Sequence, residues 1–276
     1  THYVKIINSC EITGKKSKHA YSLFRKNGSN EIYLKGYFWN GIKQQQEWVT
    51  IDKPSLYLAT VFKEIMEKRS IGVKGTVRFA NEQDVASIKH MEEIICTFST
   101  IEQTINVTNN RSQNFYAEQI LKTLGANSRK KGSFATGIEV MEDMLDLLGH
   151  KKEEFEIADG SGLSQKNRLT TETFTDLLCY MHKHKDGQIF IDSLPVSGIK
   201  GTLKKRLINQ PYKSKIKAKT GYILGVSALS GYAETLSGDI LAFSILINDF
   251  KVSNRTITKI QDSICMALVN YCGNKH

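Results

Sequence analysis

The sequence is poor in proline and tryptophan and lacks any long apolar run. Its 276 residues include 3 prolines and 2 tryptophans, and no run of about 18 uncharged apolar residues occurs, so no membrane-spanning helix is predicted. The 5 cysteines form no Cys-x-x-Cys pair and no His-Glu-x-x-His motif is present, which removes the usual zinc-binding spacings. With 40% apolar residues, the chain is predicted to be globular, and its length favours two units.

An initiating methionine and a signal peptide are also missing. The segment that starts at Thr1 has no basic stretch followed by an apolar core and a small-residue cleavage site. We therefore expect the chain to be a processed or truncated piece of a longer protein.

The formal charge of +10 is the property that most favours a polyanionic partner such as nucleic acid. Lysines and arginines are spread along the whole sequence, however, and the densest cluster, at 200–219, flanks a predicted strand. No RNA- or DNA-binding motif accompanies this cluster. We interpret the charge as a solvated basic surface and expect no nucleic-acid partner.

The apolar pattern divides the sequence near residue 92. Short alternating stretches before residue 50 predict strands, and Pro54 opens a helical pattern. A further strand is predicted at 72–79, "GVKGTVRF". We interpret 1–92 as an accessory α+β unit, or the end of one, and 93–276 as a second domain.

Helical patterns precede strands in the second domain. Ser99 and Glu102 predict a capping box at its first helix, and Gly125 is predicted to end the next helix. Alternation from residue 214 onward predicts three strands, of which the last two are apolar on both faces and therefore expected to be buried. The final helix is predicted to bury one stripe, formed by Ile257, Ile260, Ile264 and Leu268.

The triplet Lys219, Thr220 and Gly221 lies within the first of these strands. A glycine inside a strand often marks a place where a ligand approaches the backbone. An edge strand can pair with an extended peptide, while an ammonium and a hydroxyl beside it hold a carboxylate or a developing negative charge. Because neighbouring strand residues face opposite sides, Lys219 and Thr220 can serve one ligand only at the rim of the sheet.

Two polar segments are candidates for the other side of a cleft. Ser112 and Asn114 precede a predicted helix, and taken alone they are best interpreted as an N-terminal cap. The loop "DGSGLSQKNRLT" at 159–170 is rich in turn formers. Its hydroxyls either line a cleft or satisfy nearby backbone groups.

In order, Ser-x-Asn, "DGSGLS", "SLPVSGIKGTL" and "AKTGYILGVSALSGY" resemble the penicillin-binding proteins of the D-alanyl-D-alanine carboxypeptidase/endopeptidase type, the low-molecular-mass class C group. The resemblance is strong over 99–250. It is weaker over "KPSLYLATVFKEIMEK" and "GVKGTV", which look like the end of that family's inserted accessory domain. It implies an α+β fold in which 93–276 is a β-lactamase/transpeptidase-like domain, with an antiparallel sheet and helices, incomplete at its N-terminal side.

The resemblance also implies catalytic roles. Ser112 would pass a proton between the nucleophile and the leaving D-alanine amine, and Asn114 would hold the substrate amide. Lys219 would supply positive potential beside Ser112. The reaction would be acyl transfer through a serine ester, with no metal and no organic cofactor.

Substrate binding is implied for the following residues of the strand. Thr220 would bind the terminal carboxylate, and Gly221 would leave room for the peptide. The backbone N–H of Tyr222 would be one of two donors in an oxyanion hole.

The nucleophile motif departs from the family order. Ser-x-x-Lys occurs at Ser128, Ser197 and Ser214, each of which follows Ser112, whereas the family places the motif before Ser-x-Asn. In addition, Lys200 stands where the family has an acidic residue. We expect the nucleophile and a signal peptide to lie upstream of the sequence, and the 276 residues to be inactive alone.

The resemblance implies the C-terminal portion of an exported, periplasmic bacterial D-alanyl-D-alanine carboxypeptidase/endopeptidase. Its substrates would be peptidoglycan stem peptides that end in D-Ala-D-Ala, and β-lactams would inhibit it. Two alternatives remain open. One is a serine β-lactamase, against which the segment 1–92 counts, and the other is a catalytically inactive wall-binding homologue.

Overall fold

In the computed structural model, which describes residues 1–92 and 95–273, the chain forms two units, Thr1–Cys96 and Thr97–His276. The first unit contains strands β1 (Lys5–Thr13), β2 (Ala20–Arg25) and β3 (Glu31–Trp39) and helices α1 (Pro54–Lys68) and α2 (Glu82–Ser87). β3 is the central strand, parallel to β1 and antiparallel to β2. The strands predicted before residue 50 and the helix that Pro54 opens are thus confirmed.

The prediction of a strand at 72–79 is wrong. This segment forms no strand in the structure. The carbonyl of Gly75 accepts a hydrogen bond from Lys63 Nζ of α1 (2.6 Å), so this backbone group is paired with a side chain rather than with a strand.

Over its described residues, the second unit combines six α-helices with one antiparallel sheet. The helices are α3 (Ile101–Arg111), α4 (Asn114–Arg129), α5 (Phe134–Leu147), α6 (Thr171–Lys183), α7 (Gly187–Ser193) and α8 (Asn254–Val269), and the strands are β4 (Ile216–Ile223), β5 (Val226–Glu234) and β6 (Ile240–Asn248). No helix within 1–92 and 95–273 has the length and apolar character needed to cross a membrane.

β5 is the central strand of the sheet, between β4 and β6. α8 covers one face, where the main core contains Ile216, Leu229, Phe243 and Cys265. α6 packs against β5 and β6, and Leu178 meets Tyr232 there. Phe243 is the buried residue of β6, and the others are partly or largely exposed, so the expectation of burial on both faces fails for β6.

Helix boundaries correct two sequence-based expectations. α3 begins one residue later than predicted, because the capping box is formed by Thr100 and Gln103 rather than by Ser99 and Glu102. α4 continues past Gly125 for another turn, because Gly125 meets α5 instead of ending the helix. A Cβ on Gly125 would lie 2.9 Å from the backbone N of Gly137.

The buried stripe of α8 is rotated relative to the prediction. Its buried residues are Ile257, Gln261, Cys265 and Val269, whereas Ile260 and Ile264 are 46% and 39% exposed. Gln261 replaces an apolar residue in the stripe because its amide donates to Ser227 Oγ (3.1 Å) and accepts from the Arg206 guanidinium (3.2 Å). A paired polar group can be buried at little cost.

Candidate functional site

The Lys-Thr-Gly triplet lies where β4 leaves the cover of the preceding chain. Ala218 N–H points away from β5 and donates to Pro195 O (3.0 Å). In an antiparallel pair, the backbone N–H and C=O groups of every second residue point away from the partner strand. The backbone groups of Thr220 and Tyr222 therefore point to the same outer edge as those of Ala218. Gly221, between them, is exposed. The strand thus offers a peptide both backbone donors and space.

Ser112 lies in the tight turn between α3 and α4. It adopts a left-handed conformation (φ 52°, ψ 51°) as the C-cap of α3, and Gln113 rather than Ser112 is the N-cap residue of α4. The interpretation of Ser112 as a helix N-cap is therefore wrong. Instead, Lys219 Nζ donates a hydrogen bond to Ser112 Oγ (2.8 Å).

Lys219 connects this turn to the edge of β4. The Lys219 ammonium also donates to the backbone oxygen of Thr220 (2.6 Å). This bond holds the ammonium at the rim of the sheet, although the side chains of Lys219 and Thr220 start on opposite faces of β4. The side chain is largely shielded from water, and this desolvation lowers the pKa of Lys219 because it disfavours the charged form. The result is a positive charge in a partly dry site, held between a hydroxyl and a carbonyl.

Thr220 faces the opposite side of β4, yet its hydroxyl reaches the same rim. Thr220 Oγ1 donates to Thr202 Oγ1 (2.8 Å), which belongs to the 3₁₀ turn Gly201–Leu203. Gly201 has φ 65°, and a Cβ there would lie 2.7 Å from Asn110 Oδ1 and 2.9 Å from Pro195 Cβ. Glycine is needed at this position for the turn to approach the end of α3.

The end of α3 is anchored independently. Asn110 donates to the backbone carbonyl of Ser193 (2.8 Å), and Asn109 donates to the hydroxyl of the same residue (2.7 Å). These two amides fix the turn that carries Ser112 to the end of α7. Asn114, the first residue of α4, follows within two residues and is exposed.

The loop at 159–170 is organised by its own carboxylate and amide. Asp159 accepts from the N–H groups of Gly162 and Ser164, both at 2.7 Å, and Asn167 Oδ1 accepts from Ala158 N–H (2.8 Å). Two hydroxyls of the loop also accept from backbone N–H groups, Ser164 from Lys166 (3.2 Å) and Thr170 from Thr173 (3.1 Å), so these two satisfy nearby backbone groups.

Glu118 joins this loop to α4. Its carboxylate accepts from Gly160 N–H (3.1 Å) and from Ser161 N–H (3.0 Å). Glu118 is one helical turn after Asn114, so the two residues lie on the same face of α4. The loop therefore packs beside the helix terminus that carries Asn114.

The Ser-x-x-Lys serines are engaged elsewhere. Ser197 is completely buried, donating to Tyr212 O (3.0 Å) and accepting from Ile216 N–H (3.1 Å). Ser214 donates to the carbonyl of Lys213 (2.5 Å). Ser128 lies in the last turn of α4, beyond the helix end that was predicted at Gly125. The contacts of Ser197 and Ser214 are those of structural hydroxyls.

The sequence profile of the D-Ala-D-Ala carboxypeptidase 3 (S13) family matches residues 1–271. The chain belongs to this family. A D-alanyl-D-alanine carboxypeptidase of an Actinomadura species is 29% identical over 287 residues, covering 99% of this chain and 51% of the relative. D-alanyl-D-alanine carboxypeptidase DacB of Haemophilus influenzae is 30% identical over 147 residues, covering 52% of this chain and 31% of that protein. This S13 family member thus spans about half, or less, of the length of these curated relatives.

Solved structures show the same fold for this S13 family member. Penicillin binding protein 4 of Haemophilus influenzae, crystallised with a β-lactam, matches with a TM-score of 0.74 at 20% identity, over 98% of this chain and 64% of that one. The TLA-3 extended-spectrum β-lactamase matches with a TM-score of 0.50 at 16% identity, over 78% and 82% of the two chains. The predicted α+β, β-lactamase/transpeptidase-like fold and the resemblance to penicillin-binding carboxypeptidases are therefore confirmed.

Sequence reasoning on this S13 family member missed three residues of the site region. Thr202 meets Thr220, Glu118 holds the neighbouring loop, and Asn110 anchors the turn of Ser112. A signal existed only for Thr202, which lies within the "SLPVSGIKGTL" segment. Glu118 and Asn110 lie on helices with ordinary polar spacing, so only tertiary contacts distinguish them.

Proposed function

We propose that this chain supplies the proton-transfer and carboxylate-binding part of a serine-type D-alanyl-D-alanine carboxypeptidase/endopeptidase site. The observation that carries the proposal is the 2.8 Å hydrogen bond between Lys219 Nζ and Ser112 Oγ beside the uncovered edge of β4. A helix-turn hydroxyl and a strand ammonium, distant in sequence, meet where an extended peptide can add to the sheet.

In the proposed reaction, a peptidoglycan stem peptide ending in D-Ala-D-Ala lies along β4. Thr220 binds its terminal carboxylate, Asn114 holds its amide, and Tyr222 N–H donates to the oxygen that becomes negative when a serine attacks the carbonyl. Gly221 leaves room for the peptide backbone. Stabilisation of this oxyanion by such donors lowers the barrier to acyl transfer.

Ser112 and Lys219 manage the proton. The attacking serine gives its proton to the lysine of its Ser-x-x-Lys motif as its oxygen bonds to the carbonyl carbon, and this proton is relayed through the Ser112 hydroxyl to the nitrogen of the departing D-alanine as the C–N bond breaks. Lys219 keeps the Ser112 oxygen polarised through its ammonium. Water then attacks the serine ester, releasing the shortened peptide and restoring the serine hydroxyl.

We further propose that the attacking serine and its lysine come from residues outside these 276. Support comes from the Ser-x-x-Lys serines, of which Ser197 is buried in a backbone network and Ser214 is bonded to its neighbour's carbonyl. Reading the DNA that precedes the Thr1 codon tests this point, and we expect a signal peptide and a Ser-x-x-Lys at the start of a helix.

The same chemistry makes β-lactams inhibitors, because their strained amide acylates the same serine and their carboxylate fits the site of the substrate terminus. The penicillin binding protein with a similar fold was crystallised with such a compound. We propose that the mature protein acts on the bacterial wall from the periplasm or another extracytoplasmic space.

Release of D-alanine by the protein translated from the complete gene tests the function. We expect hydrolysis of a peptide that ends in D-Ala-D-Ala, and a loss of at least about a hundredfold in kcat/KM in Lys219→Met. Lys217→Met is the matched control, since Lys217 lies on the same strand and pairs with Asp192 (3.4 Å). Equal activity of wild type and Lys219→Met would refute the proposal, and rapid turnover of penicillin would favour a β-lactamase.

A further inference from the structure

We propose that Thr202 is a second substrate-carboxylate hydroxyl, acting in series with Thr220. This inference rests on the proposed function, because it names a further residue of the same site. It starts from the direction of a hydrogen bond, which Thr220 Oγ1 donates to Thr202 Oγ1 (2.8 Å). The hydroxyl of Thr220 thereby points at Thr202 rather than into the space beside β4.

The direction of this bond leaves the Thr202 proton available. A hydroxyl donates one hydrogen bond and accepts two, and Thr202 has no acceptor for its proton among residues 1–92 and 95–273. Thr202 is exposed. Donation from Thr220 to Thr202 also polarises the Thr202 O–H and strengthens a bond that it makes onward to an anion.

Charge near the pair selects an anion. Lys219 Nζ lies 2.6 Å from the backbone oxygen of Thr220, so a positive charge lies beside the residue that carries the first of the two hydroxyls. A carboxylate has two oxygens that accept hydrogen bonds. One oxygen can accept from Thr202 while Thr220 donates to Thr202. The other oxygen can accept directly from Thr220 only if the Thr220 O–H rotates and the bond to Thr202 is exchanged for a bond to the carboxylate.

The 3₁₀ turn that carries Thr202 is held rigidly on both sides. Leu203, the next residue, is 1% exposed and belongs to the core under the sheet. Gly201, the preceding residue, is pressed against Asn110 and Pro195, where a Cβ would clash. The hydroxyl is therefore positioned before any ligand binds, which reduces the entropy lost on binding.

The test compares two ligands by NMR titration of the protein translated from the complete gene. D-alanyl-D-alanine carries the terminal carboxylate, and D-alanyl-D-alanine amide lacks it. The measured quantity is the ratio of the Kd of the amide to the Kd of the free acid. A variant that merely distorts the fold weakens both ligands, whereas loss of a carboxylate donor lowers the ratio.

We expect the wild-type protein to prefer the free acid. In Thr202→Val the ratio of the two Kd values should fall about tenfold, which is the effect of losing one hydrogen bond to a charged group. Thr202→Ser retains the hydroxyl and is expected to keep the ratio. Ser237→Ala is the matched control, because it removes a hydroxyl that bonds to another threonine, Thr235 (2.9 Å), at the opposite end of β5.

The outcomes separate the two proposals. If wild type prefers the free acid and Thr202→Val prefers it equally, Thr202 is not a carboxylate donor, although the proposed function stands. If wild type binds neither ligand, or binds both equally, the carboxylate site itself is refuted. If Thr202→Val weakens both ligands alike, the residue has only a structural role and the inference is wrong.

Discussion

Ser112 holds a conformation that is unfavourable for a residue with a side chain. Its φ of 52° costs about 1 kcal/mol relative to glycine, and strain of this kind persists at functional sites because the surroundings enforce it. The turn brings the hydroxyl to Lys219, so the strain and the contact have one origin.

Glycine at position 112 should therefore stabilise the fold relative to alanine. We expect Ser112→Gly to exceed Ser112→Ala by about 1 kcal/mol in the free energy of unfolding, measured with urea. Ser128, inside α4, provides the control with the opposite sign, because glycine there should be less stable than alanine. An advantage of Ser112→Ala over Ser112→Gly would show that the backbone is not strained.

Lys219 makes stability depend on pH. Its pKa in the folded protein lies below the ordinary value of 10.5, so the unfolded chain binds this proton more readily and the free energy of unfolding rises with pH between those two pKa values. At pH values below the pKa of Lys219 in the folded protein, the side chain is charged in both states, and the whole cost of desolvating its charge lowers the free energy of unfolding.

Lys219→Met removes the charge and this dependence. We expect the wild-type protein to gain stability relative to Lys219→Met as pH rises from neutral toward the ordinary lysine pKa of 10.5, while at neutral pH the variant is at least as stable. Urea unfolding of both proteins across this range measures the difference. Parallel pH profiles would contradict the effect of desolvation on Lys219.

At the level of elements, α4 and α5 cross at two glycines. A Cβ on Gly137 would lie 2.2 Å from Leu121 O, a backbone atom that cannot move away alone. This contact positions α4, whose first two turns carry Asn114 and Glu118.

Gly137→Ala should therefore destabilise the second unit by about 1–3 kcal/mol, because an overpacked contact forces a backbone shift. Gly132→Ala is the control, since the nearest atoms to its Cβ would be 3.4 Å away. Thermal unfolding followed by circular dichroism compares the two variants. Equal melting temperatures would show that the helices separate easily.

Sequence patterns predicted the elements of the second unit better than their boundaries and contacts. Periodicity predicted that helices precede three strands in the second domain, and the structure has α3 to α7 before β4, β5 and β6. Gly125 was interpreted as a helix end because its local signal is that of a C-cap, and its true partner, Gly137, lies on another helix. In α8, the buried Gln261 displaced the predicted stripe, since periodicity cannot foresee its pairing with Arg206 and Ser227.

At the scale of the whole molecule, motif order identified the family, and the folded chain brought two motifs together. The meeting of Ser112 with Lys219 depends on the anchoring of α3 through Asn110 and on the packing of the sheet, neither of which a linear pattern contains. Thr202 shows the limit most clearly. Its segment was part of the resemblance, but its function emerges only from its distance to Thr220.

The central claim is that Ser112 and Lys219 assist a serine that lies outside these 276 residues. Labelling the protein translated from the complete gene with a fluorescent penicillin, followed by mass spectrometry of the labelled peptide, tests it most directly. The account predicts a penicilloyl ester on the serine of a Ser-x-x-Lys motif outside Thr1–His276. An ester on any serine between Thr1 and His276 would contradict it.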